Sequence, residues 1–292
     1  MNNKLGIYYA YWQKNWEADI IPLISRASRL EFDILEINAA LLQNQNKESL
    51  QKIRDTARRQ KIELTYCLGI PPELDLASPN KNVRKKGIEY LKTIIKKISL
   101  TGGSKLSGLI HAAWNVDFST LDISREQYQQ FSQQSLKEVL PTAESQKVRL
   151  NIEVVNRFEQ FLLNTAAEAV DFVEAIDHPN LKIHLDTYHM NIEENSIYDA
   201  VVTASNNLGH LHVGENNRRP PGEGEVFSWD KLFQALKDID YQDDIVLEPF
   251  VISGGNIAAD VALWRNLGKT DAASLDQRAI QARKFLADKL TR

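Results

Sequence analysis

Two hydrophobic periods alternate along this chain. Eight short apolar runs, several rich in β-branched residues, fall at Gly6–Tyr9, Asp33–Ile37, Leu64–Cys67, Leu106–His111, Leu150–Val154, Lys182–Leu185, His210–Val213 and Ile245–Glu248. Between them lie stretches with apolar residues at helical spacing: Asp19–Leu30, Leu50–Gln60, Arg84–Leu100, Gln127–Gln146, Thr165–Ala175, Ile197–Ala204 and Trp229–Asp238. Short, almost continuously apolar strands separated by helices of ten or more residues specify a parallel sheet covered by helices. Eight such units in 292 residues leave about 36 each, the size of the repeating unit of a (β/α)8 barrel. An open, doubly wound sheet would place a glycine-rich turn after its first strand; here Gly6 is followed by the aromatic run Tyr8-Tyr9-Ala10-Tyr11-Trp12. The pattern therefore predicts one α/β domain, a (β/α)8 TIM barrel spanning 1–292. Pro71-Pro72 and Pro220-Pro221 punctuate loops after the third and seventh strands. Pro141 predicts a kink or early stop in the fourth helix, and Thr270–Arg292 reads as a closing helix.

Composition narrows the partners. Hydrophobic residues make up 43% of the chain and charged residues 25%, as in soluble globular proteins. Thirty-five Lys and Arg against 39 Asp and Glu give a net charge of −4 without blocks of one sign. Such a balance offers little to the counterion release that drives nucleic-acid binding, so no nucleic-acid partner is expected. No run of 18 apolar residues suggests a membrane span, and the N-terminal residues show no secretory pattern. Cys67 is the single cysteine; with no intrachain disulfide possible, a reducing cytoplasmic location is the expectation.

Barrel enzymes carry their chemistry at the carboxyl ends of the strands. The fifth to eighth predicted strands end near Glu153, Asp186, His212 and Glu248, at intervals of 33, 26 and 36 residues, each about one βα unit. Any one of these alone is most simply a helix cap or salt-bridge partner. Four in register are harder to explain that way, because buried carboxylates without partners are costly. Three carboxylates and one imidazole form an oxygen-rich donor set suited to one divalent ion such as Mn²⁺, Co²⁺ or Mg²⁺.

The stretches opened by these residues are long: Glu153-Val154-Val155-Asn156-Arg157-Phe158-Glu159, Asp186-Thr187-Tyr188-His189-Met190-Asn191, His212-Val213-Gly214-Glu215-Asn216-Asn217-Arg218-Arg219-Pro220-Pro221-Gly222 and Glu248-Pro249-Phe250. With Gly6–Trp12, Ala77-Ser78-Pro79, Ala113-Trp114 and Trp264-Arg265, they resemble the ketose 3-epimerases of the D-tagatose and D-allulose (D-psicose) type, within the xylose-isomerase-like barrels, over nearly the whole chain. The resemblance implies a metal held by Glu153, Asp186, His212 and Glu248, with Mn²⁺ foremost, and Glu153 and Glu248 doubling as the acid/base pair. It further implies sugar contacts from Glu159, His189 and Arg218, and a pocket wall from Tyr8, Trp16, Cys67 and Trp114. A free ketose as substrate and a homodimer or homotetramer follow from it too. One departure is Asn216, where the family carries a small residue, in the loop bearing Arg218.

Inverting C3 of a ketose means removing a weakly acidic proton beside the carbonyl and returning one to the opposite face. A single base would return the proton to the face it left, so two opposed carboxylates are needed. An aldose–ketose or hydroxypyruvate-type isomerase on the same barrel is the alternative, and it can work with fewer opposed carboxylates. An AP endonuclease would want more histidines at the rim and a basic face. A sugar-binding or regulatory barrel would have no use for the carboxylate pair. Among the remaining candidates, His184 and His210 read as satisfied core histidines, His111 is unassigned, and Cys67 lacks the basic partner of a nucleophile. Gly222-Glu223-Gly224 is too short for a dinucleotide loop. Gly254-Gly255 follows the eighth strand, where barrels often cradle phosphate, which leaves a phosphorylated substrate open.

Overall fold

Eight parallel strands close into a barrel in sequence order: β1 (Leu5–Tyr8), β2 (Ile34–Asn38), β3 (Glu63–Cys67), β4 (Lys105–Gly108), β5 (Arg149–Glu153), β6 (Leu181–Asp186), β7 (Leu208–Val213) and β8 (Ile245–Leu247), with β8 pairing back onto β1. The computed structural model describes residues 1, 3–120 and 122–291. The helices are α1 (Ile20–Arg29), α2 (Lys47–Gln60), α3 (Lys81–Leu100), α4 (Arg125–Ser145), α5 (Ala166–Ile176), α6 (Thr187–Glu193), α7 (Ile197–Ala204), α8 (Trp229–Asp238), α9 (Gly255–Asp260) and α10 (Ala272–Thr291). Every predicted strand and helix is present within a few residues. The last residue of the predicted tail helix, Arg292, lies outside the described residues. Among the described residues no helix is long and apolar enough to cross a membrane.

Three local expectations are corrected. The fourth strand stops at Gly108 rather than running to His111. Gly108 sits at φ +109, and a Cβ there would lie 2.5 Å from the Leu68 carbonyl oxygen, so the chain leaves the sheet where only glycine fits. Of the kink or early stop expected at Pro141, the stop does not occur: helix α4 continues to Ser145. Proline frees the carbonyl four residues earlier, and both Lys137 and Pro141 are exposed, so water can satisfy it. The predicted set of helices omits α6 and α9, whose seven and six residues are too few for a helical period to emerge.

The two-residue alternation of the strands sends one set of side chains outward against the helices and the other into the barrel. Toward the carboxyl ends that interior is polar. Glu36 on β2 reaches both His210 and His212 on β7, Thr65 Oγ1 donates to Glu36 at 2.9 Å, and Asn151 Nδ2 donates to Ser107 Oγ at 3.0 Å. All six of these side chains are buried. A polar upper layer over an apolar shell is what positions the site.

Candidate active site

The residues at the ends of β5 to β8 converge. Ligand atoms of Glu153, Asp186 and His212 lie within 4.8 Å of one another, and Glu248 Oε1 lies 3.3 Å from His212 Nδ1. Asp186 is also the N-cap of α6, its Oδ1 accepting from the Tyr188 N–H at 2.8 Å, which leaves Oδ2 directed toward Arg218 and His189. His212 makes a short contact through Nε2 with Glu36 Oε1. With Nε2 engaged there, Nδ1 is left facing Glu248, and it has no hydrogen-bond partner although the residue is fully buried.

Electrostatics in this cluster follow from burial and like charge. Burial, then the neighbouring Glu248 and Asp186, push the Glu153 carboxyl well above its ordinary range. Burial raises Asp186 too, against the pull of His189 and Arg218. For His212, burial disfavours the charged form, but Glu248 and Glu36 outweigh it and raise its pKa well above the usual value. Glu36 is the converse: burial opposes its charge, yet His210 and His212 hold it below the carboxylate range. A crowded set of carboxylates around an orphaned imidazole nitrogen is the donor chemistry of a hard to borderline divalent cation. Glu36 supplies the carboxylate that orients a metal-bound histidine from behind. Glu153, Asp186, His212 and Glu248 therefore fit a metal.

Above this floor opens a cavity of about 270 Å³ lined by Glu153, Glu159, His189, Arg218, Glu248, Tyr8, Trp16, Cys67 and Trp114, together with Asn38, Leu109 and Phe250. Each sequence-predicted wall and contact residue is thus brought to one cavity. His189 projects from α6, and its Nδ1 accepts from the Asn156 backbone N–H at 3.1 Å. That bond places the ring proton on Nε2, which faces Glu153 Oε1 and Asp186 Oδ2, both at 3.8 Å. Burial lowers the His189 pKa despite Glu159 and Asp186, so the ring is a neutral donor. The Arg218 guanidinium lies 3.3 Å from Asp186, 3.2 Å from Glu248 and 3.4 Å from Glu159, and stacks 3.7 Å over the Tyr188 ring. Glu159 accepts from Trp114 Nε1 at 3.0 Å and from Asn156 Nδ2 at 3.1 Å. Burial would raise its pKa, but His189 and Arg218 overcome that and lower it. Trp16 meets Trp114 and Phe250 edge-on, with ring centroids 6.3 and 6.4 Å apart, and donates through Nε1 to Asp260 at 2.7 Å.

Residues 24–267 match the xylose isomerase-like TIM barrel family. The chain belongs to that family. It is 40% identical over 283 residues to a D-psicose 3-epimerase of Ruminiclostridium cellulolyticum, covering 97% of this chain and 96% of the relative. An L-ribulose 3-epimerase of Mesorhizobium japonicum is 31% identical over 90% of this chain and 88% of its own. A crystal structure of D-psicose 3-epimerase with D-tagatose from Clostridium cellulolyticum H10 superposes with a TM-score of 0.96 at 39% identity, covering 98% and 99% of the two chains. Within its family the chain therefore groups with the ketose 3-epimerases, carbohydrate epimerases of the isomerase class.

Several expectations about other residues change. His184 is not a satisfied core histidine: both ring nitrogens lack hydrogen-bond partners, and Nδ1 lies 3.8 Å from Glu153 Oε2. His210 lies beside Glu36, Nε2 to Oε2 2.9 Å, yet neither of its ring nitrogens makes a hydrogen bond. Both rings face the interior and pack against His212, because β6 and β7 present alternate residues to the same side. His111 does not reach the cavity; it is fully buried against Phe172. Cys67 lines the wall, and burial followed by the surrounding Glu153, Glu36 and Glu248 pushes its thiol well up, away from nucleophilic character. In the Gly254-Gly255 segment, Ser253, Asn256 and Ile257 donate their backbone N–H groups to Asn266, Asn15 and Lys14. Those amides are taken within the loop system. Sequence reasoning missed Glu36, Asn156 and Phe250. Only Asn156 and Phe250 stood inside stretches already singled out; nothing local distinguishes Glu36.

Proposed function

We propose that this chain is a metal-dependent epimerase interconverting free ketohexoses at C3, with Glu153 and Glu248 as the acid/base pair. The observation that carries the reading is that two carboxylates from strands three positions apart enter one small cavity, over a floor whose buried histidine nitrogen has no partner in the protein. When bound by Glu153, Asp186, His212 and Glu248, a divalent ion, Mn²⁺ foremost, would supply Lewis-acid polarisation of the sugar's carbonyl and neighbouring hydroxyl. Everything else falls to side chains. One glutamate removes the C3 proton from one face while the other delivers a proton to the opposite face, and the roles reverse in the back reaction. His189 Nε2–H and the fixed charge of Arg218 are placed to donate to sugar oxygens that gain negative charge. The aromatic walls from Trp16, Trp114 and Phe250 exclude water and present flat apolar faces to the C–H bonds of a sugar.

The test uses Glu153→Gln and Glu248→Gln. Each variant is expected to lose epimerisation by about 10²–10⁴-fold. In heavy water each should still exchange the C3 proton of the one epimer that faces its remaining carboxylate, so the two variants label different epimers. Labelling of the same epimer by both would break the opposed-face assignment. Solvent deuterium at C1 instead of C3 would replace epimerisation by aldose–ketose isomerisation.

A further inference from the structure

Glu215 is fully buried, and no ion pair to it occurs among the described residues. Its Oε1 accepts two hydrogen bonds, from the Gly222 backbone N–H at 2.7 Å and from Trp229 Nε1 on α8 at 3.0 Å. Its Oε2 has no partner and lies where a Cβ on Gly224 would approach to 2.6 Å. A buried carboxylate so placed costs stability unless its geometry gives something back. What it organises is the loop from Gly214 to Gly224. The backbone closes a tight turn in which Arg218 N–H donates to the Glu215 carbonyl at 3.0 Å and Glu215 N–H donates to the Arg219 carbonyl at 2.9 Å. Within that turn Arg218 adopts φ +66, a left-handed conformation unfavourable for a residue with a side chain. Such a conformation persists only where the surroundings over-determine it.

We propose that Glu215 is a positioning residue: it ties the far end of this loop to α8 and thereby holds Arg218 in the backbone conformation that aims its guanidinium at Asp186, Glu248 and Glu159. Two other clamps flank it. Thr187 Oγ1 bonds the Gly214 carbonyl at 2.7 Å, and the Phe250 N–H donates to the Arg218 carbonyl at 2.9 Å. These fix the near end and the middle of the loop. Glu215 joins its beginning to its return at Gly222. The proposal rests on the reading of Arg218 as a substrate contact for its effect on turnover, though not for its effect on structure.

The experiment compares Glu215→Ala, Glu215→Gln and Gly224→Ala, alone and combined with Arg218→Ala, in the metal-loaded full chain with D-allulose and D-fructose. Gln keeps an acceptor for Gly222 and Trp229, so its kcat/KM should stay within a few-fold of wild type. Glu215→Ala should lose about 10- to 100-fold, the penalty for a small misplacement of an active-site group. Gly224→Ala, which pushes on the Glu215 carboxylate without touching Arg218, should fall between and remains informative if the Ala variant does not fold. In the Arg218→Ala background these losses should shrink to less than about two-fold, because the residue being positioned is gone. Losses that persist there would make Glu215 a general scaffold and overturn the proposal. A crystal structure of Glu215→Ala or Gly224→Ala adds a readout independent of turnover: a displaced guanidinium supports the proposal, and an unmoved one refutes it. Full activity of Arg218→Ala would instead overturn the reading of Arg218 itself, leaving the displacement to decide the role of Glu215.

Discussion

His212 has two ring nitrogens with different surroundings, and the difference is made by Glu36. That carboxylate, from β2, lies against Nε2 and leaves Nδ1 facing Glu248. A histidine without such a partner could present either tautomer. Glu36→Gln is expected to lower affinity for Mn²⁺ about 10- to 100-fold, as loss of an orienting carboxylate does at other metal histidines. Calorimetric titration of the metal-free protein measures it, and an unchanged affinity would remove Glu36 from that role. His189 repeats the principle with Asn156, whose backbone N–H selects its tautomer. Of these residues, His212 was legible from its place near a strand end and His189 only through the resemblance its stretch carries, whereas the partners that set their protons were not.

Helix α6 shows how an element can serve two purposes at its first residue. Asp186 caps it through Oδ1 and offers Oδ2 to the cluster. The bland expectation, a helix cap, and the sharp one, a metal ligand, are therefore compatible for this residue, and they can be separated. Asp186→Asn keeps a capping oxygen; Asp186→Ala does not. In excess chelator the Ala variant should be less stable than the Asn variant by about 1 kcal/mol, the value of a cap. Added Mn²⁺ should stabilise wild type by about 2.7 kcal/mol at a hundredfold excess over Kd, while both variants should gain much less. Thermal melts with and without metal check both points, and a full metal gain in the Asn variant would exclude Asp186 as a ligand.

At the scale of the whole molecule, two buried histidines, His111 and His184, weaken the fold toward acid. His111 has neither ring nitrogen bonded, and burial pushes its pKa down to about 3. The unfolded chain takes up a proton near pH 6.5 that the folded chain refuses. The stability tied to His111 is therefore fully present above pH 6.5 and is withdrawn as the pH falls toward 3, at about 1.4 kcal/mol per pH unit. His184, pushed well below its ordinary value by burial and the adjacent histidines, acts in the same direction. His111→Leu should flatten the acid limb: urea unfolding between pH 7 and pH 4 should give curves that converge or cross. Parallel curves would mean that His111 gains its proton without unfolding the barrel.

The barrel and the four residues at the ends of β5 to β8 were determined by the sequence alone, for a local reason. Strand and helix periods repeat within ten residues, and the regular βα spacing carries Glu153, Asp186, His212 and Glu248 to corresponding strand ends. Glu36 could not be found this way. It occupies an ordinary place in β2, 176 residues from His212, and nothing near it in the chain marks it as more than a strand residue. Closing β8 onto β1 turns both residues into one interior and makes them partners. The same holds for Arg218, whose three carboxylates come from β6, from the residue after β8 and from the β5–α5 loop. Hydrogen bonds and ion pairs act over a few ångströms of space, and only the folded barrel decides which distant residues share that space.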